Sequence, residues 1–225
     1  MEKMPYQSGM EMAMLTQATG PATTIERSPV VSSDWRTGLP VLCGKQVVLR
    51  ELRTTDAASL FAMLTTEEVS RFISPPPTSV DGFEKFIAWT LRMRDLGTYA
   101  CFAVTLKGSD VAIGIFQLRE LEPGFRTAEW GFAIGSPYWG SGAFIDSAGL
   151  VIRFAFEAVG VHRLEARASV RNGRGNGALR KLGAVQEGVL RRSFLRNGEY
   201  HDQVLWSILD EDWFGTVETR RTSIH

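Results

Sequence analysis

The chain has 225 residues, 44% of them apolar and 22% charged, which fits one globular domain burying roughly 70% of the surface its extended form exposes. Its 25 basic residues cancel 25 acidic ones, so the broad electrostatic attraction used by nucleic-acid and anionic-membrane binders is excluded, and any anion site must be local. The two cysteines, Cys43 and Cys101, lie far apart and suggest neither a disulfide framework nor a cysteine metal site, as suits a reducing cytoplasm.

Residues 1–42 show no sustained period, and Gly20-Pro21, Ser28-Pro29, Ser32-Ser33 and Leu39-Pro40 read as turns, so this segment is expected to be an N-terminal extension. Within it, Gly9 to Leu15 is too short, and interrupted by Glu11, to be a signal peptide. No run of about 18 apolar residues occurs anywhere, which argues against a membrane span. Regular structure begins at Val47–Leu52, a β-branched run, followed by Thr55-Asp56 as the cap of a helix starting near Ala57. The Pro75-Pro76-Pro77 run interrupts the chain. Thr78 with Asp81 then has capping-box spacing, opening a helix whose apolar face is Val80, Phe83, Phe86, Ile87 and Leu91.

Two strand-like runs, Tyr99–Leu106 and Val111–Leu118, flank the hairpin-like Lys107-Gly108-Ser109-Asp110. A third, Ala128–Ile134, sets Trp130, Phe132 and Ile134 on one face and Glu129, Gly131 and Ala133 on the other. Phe144, Ala148, Val151, Ile152, Ala155 and Val159 form one stripe of a helix ending at Gly160. Arg163–Val170 alternates as a strand. A short helix at Gly177–Leu182 and strands at Gln186–Phe194 and Tyr200–Leu209 complete a mixed α/β (α+β) plan: a mostly antiparallel sheet of six or seven strands flanked by helices, spanning 43–214, with 215–225 as a tail.

The loop Trp139-Gly140-Ser141-Gly142-Ala143-Phe144 joins a strand to a helix. The first backbone N–H groups of that helix lack partners and carry the positive end of its dipole, and Gly140 and Gly142 let a phosphate approach. By itself this pattern serves equally as a tight turn. No Gly-Lys-Ser/Thr loop is present, which disfavours a generic nucleotide-phosphate binder.

The segment around it is more specific. It comprises Ala128-Glu129-Trp130-Gly131-Phe132-Ala133-Ile134, Tyr138 to Gly142, Phe154-Ala155-Phe156-Glu157, Val161 to Arg167, Asn172, Leu179 to Ala184 and Gln186-Glu187-Gly188. In these residues the chain resembles the Gcn5-related N-acetyltransferase superfamily, in particular its branch of ribosomal-protein alanine N-acetyltransferases (RimJ/RimL type), over about residues 47–213. The resemblance implies the acyl-CoA N-acyltransferase fold, acetyl-CoA as co-substrate with no metal, and a primary amine as acceptor: a protein N-terminus or a small molecule. It also implies direct attack in a ternary complex, and a monomer or homodimer with no nucleic-acid or membrane partner. Carried over by position, Phe132, Ala133 and Ile134 flank the pantetheine arm and thioester, residues 139 to 144 bind the pyrophosphate, and Asn172 contacts the cofactor. The branch has a small residue where Phe144 stands.

Between residues 163 and 196 there are nine Arg or Lys against two Glu. Arg171, Arg174, Arg180 and Lys181 are the candidates for the 3′-phosphate of CoA, with a solvated basic face as the alternative for each. Glu129 is the first candidate for the base that removes the ammonium proton, with Glu165 and His162 next. Each of the three reads equally as a structural group, Glu129 and Glu165 as partners of nearby arginines and His162 as a packed or capping residue. The family's usual tyrosine acid aligns with Leu179, and the branch's serine and glutamate align with Gly175 and Phe194. These departures leave open a catalytically degenerate acyl-CoA-binding domain, or an enzyme using water, Ser169 or no dedicated acid. Phe72, Trp89 and Trp130 are candidate walls of the acceptor pocket.

Overall fold

A computed structural model describes residues 34–215. Residues 1–33, which hold the Gly9 to Leu15 stretch and three of the turn signals, and 216–225 of the tail lie outside the described residues.

Thirteen elements position the site. In chain order they are β1 (Leu42–Cys43), β2 (Val47–Glu51), α1 (Ala57–Leu64), α2 (Glu67–Ser70), α3 (Val80–Asp95), β3 (Tyr99–Leu106), β4 (Gly114–Glu120) and β5 (Thr127–Ile134). There follow α4 (Ala143–Phe154), β6 (Arg163–Ser169), α5 (Gly173–Lys181), β7 (Val185–Arg196) and β8 (Glu199–Leu209). The strands form one eight-stranded sheet in the order β1-β2-β3-β4-β5-β6-β8-β7. The count exceeds the expected six or seven because Leu42 and Cys43 pair with Leu49 and Val48 as a two-residue edge strand, too short to show an alternation in sequence. All neighbours are antiparallel except β5 and β6.

Period-two alternation sends the two faces of each central strand into different cores. Phe102, Val104, Phe116, Leu118 and Trp130 join Ala148, Val151 and Ile152 of α4 on one side. Tyr99, Cys101, Ala103, Ile115 and Ala133 join Leu60, Leu64, Phe83, Phe86 and Ile87 of α1 and α3 on the other. Trp35 is buried in the first of these cores, edge-on to Phe125 with ring centroids 5.5 Å apart.

The ends of the helices differ from the sequence expectations in instructive ways. Asp56 precedes α1, but its carboxylate makes no cap bond; it accepts two bonds of 2.8 Å from the buried Arg50 guanidinium and one from the Arg53 N–H. The pull of a buried cation exceeds that of a helix end. Ser79, not Thr78, caps α3, accepting from the Gly82 N–H at 3.0 Å. The fourth strand starts at Gly114, leaving Val111 in the turn and largely exposed. Helix α4 passes into a single π turn, Ala155–Val159, and stops at Gly160 with φ 85°. α5 begins at Gly173, four residues before Gly177, because Asn172 caps it. The last hairpin turns on Asn197 and Gly198, both at positive φ, as a two-residue connection between twisted strands requires.

Two ion-pair sites lead to predictions. Arg50 and Asp56 are both buried, so Asp56→Ala removes two charge-assisted bonds from a guanidinium that keeps only its Asp110 partner, and should cost about 1.5–3 kcal/mol in urea unfolding. Glu187 on β7 accepts from Arg163 Nη1 and Nη2 at 2.7 and 2.6 Å and from Ser207 Oγ at 2.6 Å, joining three strands. The Arg163 bonds foremost, then Ser207, lower its pKa from 4.5 to about 2. A depressed folded value gives stability that is complete above the unfolded value and is lost as pH falls through the folded one. The stability gap between wild type and Glu187→Gln should therefore be widest near neutrality and close between pH 4.5 and about 2.

Candidate active site

The parallel pairing of β5 with β6 is short. Only Thr127, Ala128 and Glu129 find partners, at Arg163, Leu164 and Glu165; beyond them the strands diverge. On its other edge β5 stays paired to β4 as far as Gly114 and Ile134. The bonds Leu121 N–H to Thr127 O and Gly135 N–H to Ile113 O set the parity of that ladder. Odd-numbered β5 residues turn their backbone groups toward β4, and even-numbered ones turn theirs toward the opening. The Phe132 N–H and C=O and the Ile134 N–H therefore face a gap with no strand to satisfy them. The Ile134 carbonyl accepts from Trp139 Nε1 at 2.8 Å. Ala133 contributes its side chain rather than its backbone, which is turned to β4.

The opening leads into a cavity of about 750 Å³ lined by Phe132, Ala133, Ile134, Trp139, Gly140, Gly142, Phe144, Asn172 and Arg174, among others. Nine of the eleven residues proposed for cofactor contact are thus brought to one wall. Ser141 and Ala143 shape the loop instead: Ser141 Oγ donates to the Tyr138 carbonyl at 2.7 Å and accepts from the Ala143 N–H at 3.2 Å. The first intrahelical bond of α4 runs from the Asp146 N–H to the Gly142 carbonyl, so the Phe144 and Ile145 N–H groups have no helical acceptor.

Gly140 and Gly142 sit at φ 78° and 90°, and a Cβ on Gly142 would lie 2.7 Å from Gln46 Nε2. The loop is tied to the β1–β2 turn: Gln46 Nε2 donates to the Ser141 carbonyl, and Asp146 accepts the N–H groups of Lys45, Gln46 and Val47 at 2.8–3.2 Å. Burial works to raise the Asp146 pKa, but these backbone bonds outweigh it and hold the group lowered. Phe144 turns inward, packing against Phe132 and Phe116 with centroids 4.7 and 5.6 Å away, so it walls the cavity as part of the core. Arg174 lies over the Trp139 ring, 4.3 Å from its centroid, and links α5 to the loop. Arg71 and Lys181 join Arg174 on the lining, opposed by Glu68. Arg171 and Arg180 do not line the cavity; Arg180 lies over Trp206 instead. Arg71 sits just past α2, a single turn whose length gives no periodicity to aim it at this wall.

A second, smaller cavity of about 120 Å³ opens on the α1–α3 face of the sheet. Phe72, Ile73, Phe132, Asn172 and Gly175 line both cavities, so the two communicate where β5 and β6 part. Glu129 lines the smaller one, as do Arg119, Arg167, Gln117 and Tyr99. It is ion-paired to Arg119 Nη2 across the β4–β5 ladder and lies 3.7 Å from Arg167 Nε of β6. The space beside Gly131 is taken up by Gln117, whose amide is 2.7 Å from where a Cβ would stand and whose Oε1 accepts the Tyr99 hydroxyl.

Glu165 and His162 line neither cavity: Glu165 accepts from Arg163 at 2.9 Å, and His162 is exposed at the closed end of β6. Ser169 is buried and also absent from both linings. Asn172 Oδ1 is engaged as the cap of α5, accepting from the Gly175 N–H at 2.8 Å, while the residue still borders both cavities. Gly175 and Phe194 line the smaller cavity, and Leu179 is buried in the core. Phe72 and Trp130 border the smaller cavity, whereas Trp89 packs between Phe86 and Tyr99. Burial pushes the Cys101 thiol pKa up, and it lines neither cavity. Among the described residues, no group of three or more His, Cys, Asp or Glu could hold a metal, and no helix is long and apolar enough to cross a membrane.

A sheet splayed at one parallel pair, with a glycine loop and helix N-terminus at the mouth, defines an acyl-CoA N-acyltransferase scaffold. The Acetyltransferase (GNAT) domain family matches residues 46–185, and the chain belongs to this family of acetyltransferases. It is 26% identical over 175 residues to the uncharacterized N-acetyltransferase YoaA of Bacillus subtilis, covering 76% of this chain and 97% of that one. It is 28% identical over 102 residues to the [ribosomal protein uS5]-alanine N-acetyltransferase of Escherichia coli, covering 45% of this chain and 53% of that one. The structure of Mycobacterium smegmatis RimJ in complex with CoA-disulfide shares the fold with TM-score 0.70 and 20% identity, over 77% of this chain and 88% of that one.

Gly142→Ala combines a strained φ with a clash against Gln46. It should weaken CoA binding at least about tenfold by calorimetry while leaving the far-UV circular dichroism unchanged.

Proposed function

We propose that this chain transfers an acetyl group from acetyl-CoA to a primary amine, either a protein N-terminal amine or that of a small molecule, by direct attack in a ternary complex in the cytoplasm. The observation that carries this reading is the meeting of the two cavities at the divergence of β5 and β6. The residues present suit the co-substrate. The free N–H groups of Phe144 and Ile145 and the cations Arg71, Arg174 and Lys181 answer its phosphates, and the gap-facing Phe132 and Ile134 backbone answers its amides and thioester carbonyl. When bound, acetyl-CoA supplies an activated acyl thioester.

Backbone donors held rigidly in a sheet need no reorganisation as negative charge develops on a carbonyl oxygen, which is where positioned N–H groups are worth most. The acceptor enters through the smaller cavity, and Glu129 receives its ammonium proton directly or through water. Among the described residues Glu129 is the one carboxylate on that lining. Its ion pairs with Arg119 and Arg167 fix its position beside the opening. Neither cysteine borders the cavities, which supports a route without an acyl-enzyme.

Purified protein with acetyl-CoA and a panel of N-terminal peptides and small amines should release free thiol. Glu129→Gln should lower kcat by well over tenfold with CoA affinity retained. An unchanged kcat would remove Glu129 from the chemistry, and no thiol release across the panel despite CoA binding would overturn the reading.

A further inference from the structure

The charge of the smaller cavity selects among amines. Its lining carries two guanidiniums, Arg119 and Arg167, and the single carboxylate of Glu129. Two guanidiniums offer about ten N–H donors, whereas one carboxylate accepts at about four positions, so donors are in excess. The excess is visible in the bonding. Arg119 gives one nitrogen to Glu129, and its Nε is buried with no hydrogen-bond partner among the described residues. Arg167 approaches Glu129 only at 3.7 Å, beyond hydrogen-bond length, and its side chain keeps 35% of its surface exposed. The guanidinium donors that border the cavity and that Glu129 leaves over are open to a charge-assisted bond from an anion. The other polar lining residues are uncharged: Tyr99 and Gln117 are bonded to each other, Asn172 Oδ1 caps α5, Gln203 Oε1 accepts from Ser193, and Ser74 completes the set.

From this we infer that the acceptor is an amino carboxylate: a primary amine bearing its own carboxylate a few bonds away, which docks on Arg119 and Arg167. The inference rests on the acetyl-transfer reading above for the identity of the cavity as the acceptor site. The anion docks on the cavity-facing guanidinium donors that Glu129 leaves over. A polycationic amine meets repulsion from both arginines and has one carboxylate to offset it. The small volume, about 120 Å³, suits a free amino acid or one acidic residue at a peptide N-terminus, and both present the same chemistry.

The test separates binding from turnover. At saturating CoA the protein is titrated calorimetrically with free amino acids and their C-amides, with peptides beginning Asp or Glu and their Asn or Gln counterparts, and with a linear polyamine. The same compounds are then assayed for thiol release with acetyl-CoA. The carboxylate member of a pair should bind at least about tenfold more tightly than its amide, as a charge-assisted bidentate contact requires. Arg167→Gln should bring that ratio to within about twofold while leaving CoA affinity unchanged. The arm with the larger ratio identifies the source as a free amino acid or a peptide terminus. Equal binding of carboxylate and amide, no measurable binding in any arm, or preference for the polyamine overturns the inference even where acetylation proceeds. Tight, Arg167-dependent carboxylate binding without thiol release leaves an amino-carboxylate binding site but overturns its assignment as the acceptor site together with the proposed reaction.

Discussion

The parallel pair between β5 and β6 runs for three residues and stops. Backbone donors and acceptors inside a sheet are satisfied by neighbouring strands, and a sheet that parts must leave some of them to another partner. Here the parting exposes the Phe132 and Ile134 edge of β5, while β4 on one side and β8 beside β6 hold the rest of the ladder closed. The larger cavity, the helix N-terminus at its mouth and the smaller cavity on the far face all depend on that divergence. Glu129 is the last β5 residue paired to β6, and Arg167 reaches it from β6 across the fork.

The loop at the mouth is a braced structure. Gly142 at positive φ turns the chain into α4, Ser141 satisfies one of the first helical N–H groups, and Asp146 fastens the first turn to the β1–β2 connection. Two unpaired N–H groups are left at the helix start, pointing into a site where phosphate chemistry fits. The aromatic cluster of Phe116, Trp130, Phe132 and Phe144 supports the loop from behind. Thus the bulky residue at the end of the loop is a packing element, and the phosphate approach is set by backbone and cations.

The two cavities differ in kind. The larger is lined by glycines, aromatics and three cations, as a long, phosphate-bearing ligand demands. The smaller is confined, polar and dominated by an Arg-Glu-Arg cluster fixed by cross-strand pairing. Placing a carboxylate between two guanidiniums positions it well and limits its freedom, and on the proposed reading the same three side chains face both the acceptor and its amine.

Much of this was legible in the residues. The continuous run at 99–106 reflects burial on both faces, the alternation in 128–134 and 163–169 reflects faces of unequal burial, and the 3.6-residue stripe of α4 reflects one-sided burial, all local consequences of backbone geometry. The glycine loop and Asn172 could be located because positive φ and helix caps demand particular residue types at particular steps. What the chain could not disclose locally was long-range pairing: the two-residue strand at Leu42, the capture of Asp56 by Arg50, the inward turn of Phe144, Arg71 on the wall of the larger cavity, and the presence of Glu129, but not of its strand neighbour Glu165 or of His162, on the smaller one. The sequence by itself determined the elements, the glycine loop and the family. Only tertiary structure decided which charges meet, because ion pairs and cavity linings join side chains distant in the chain, and no local periodicity records such distances.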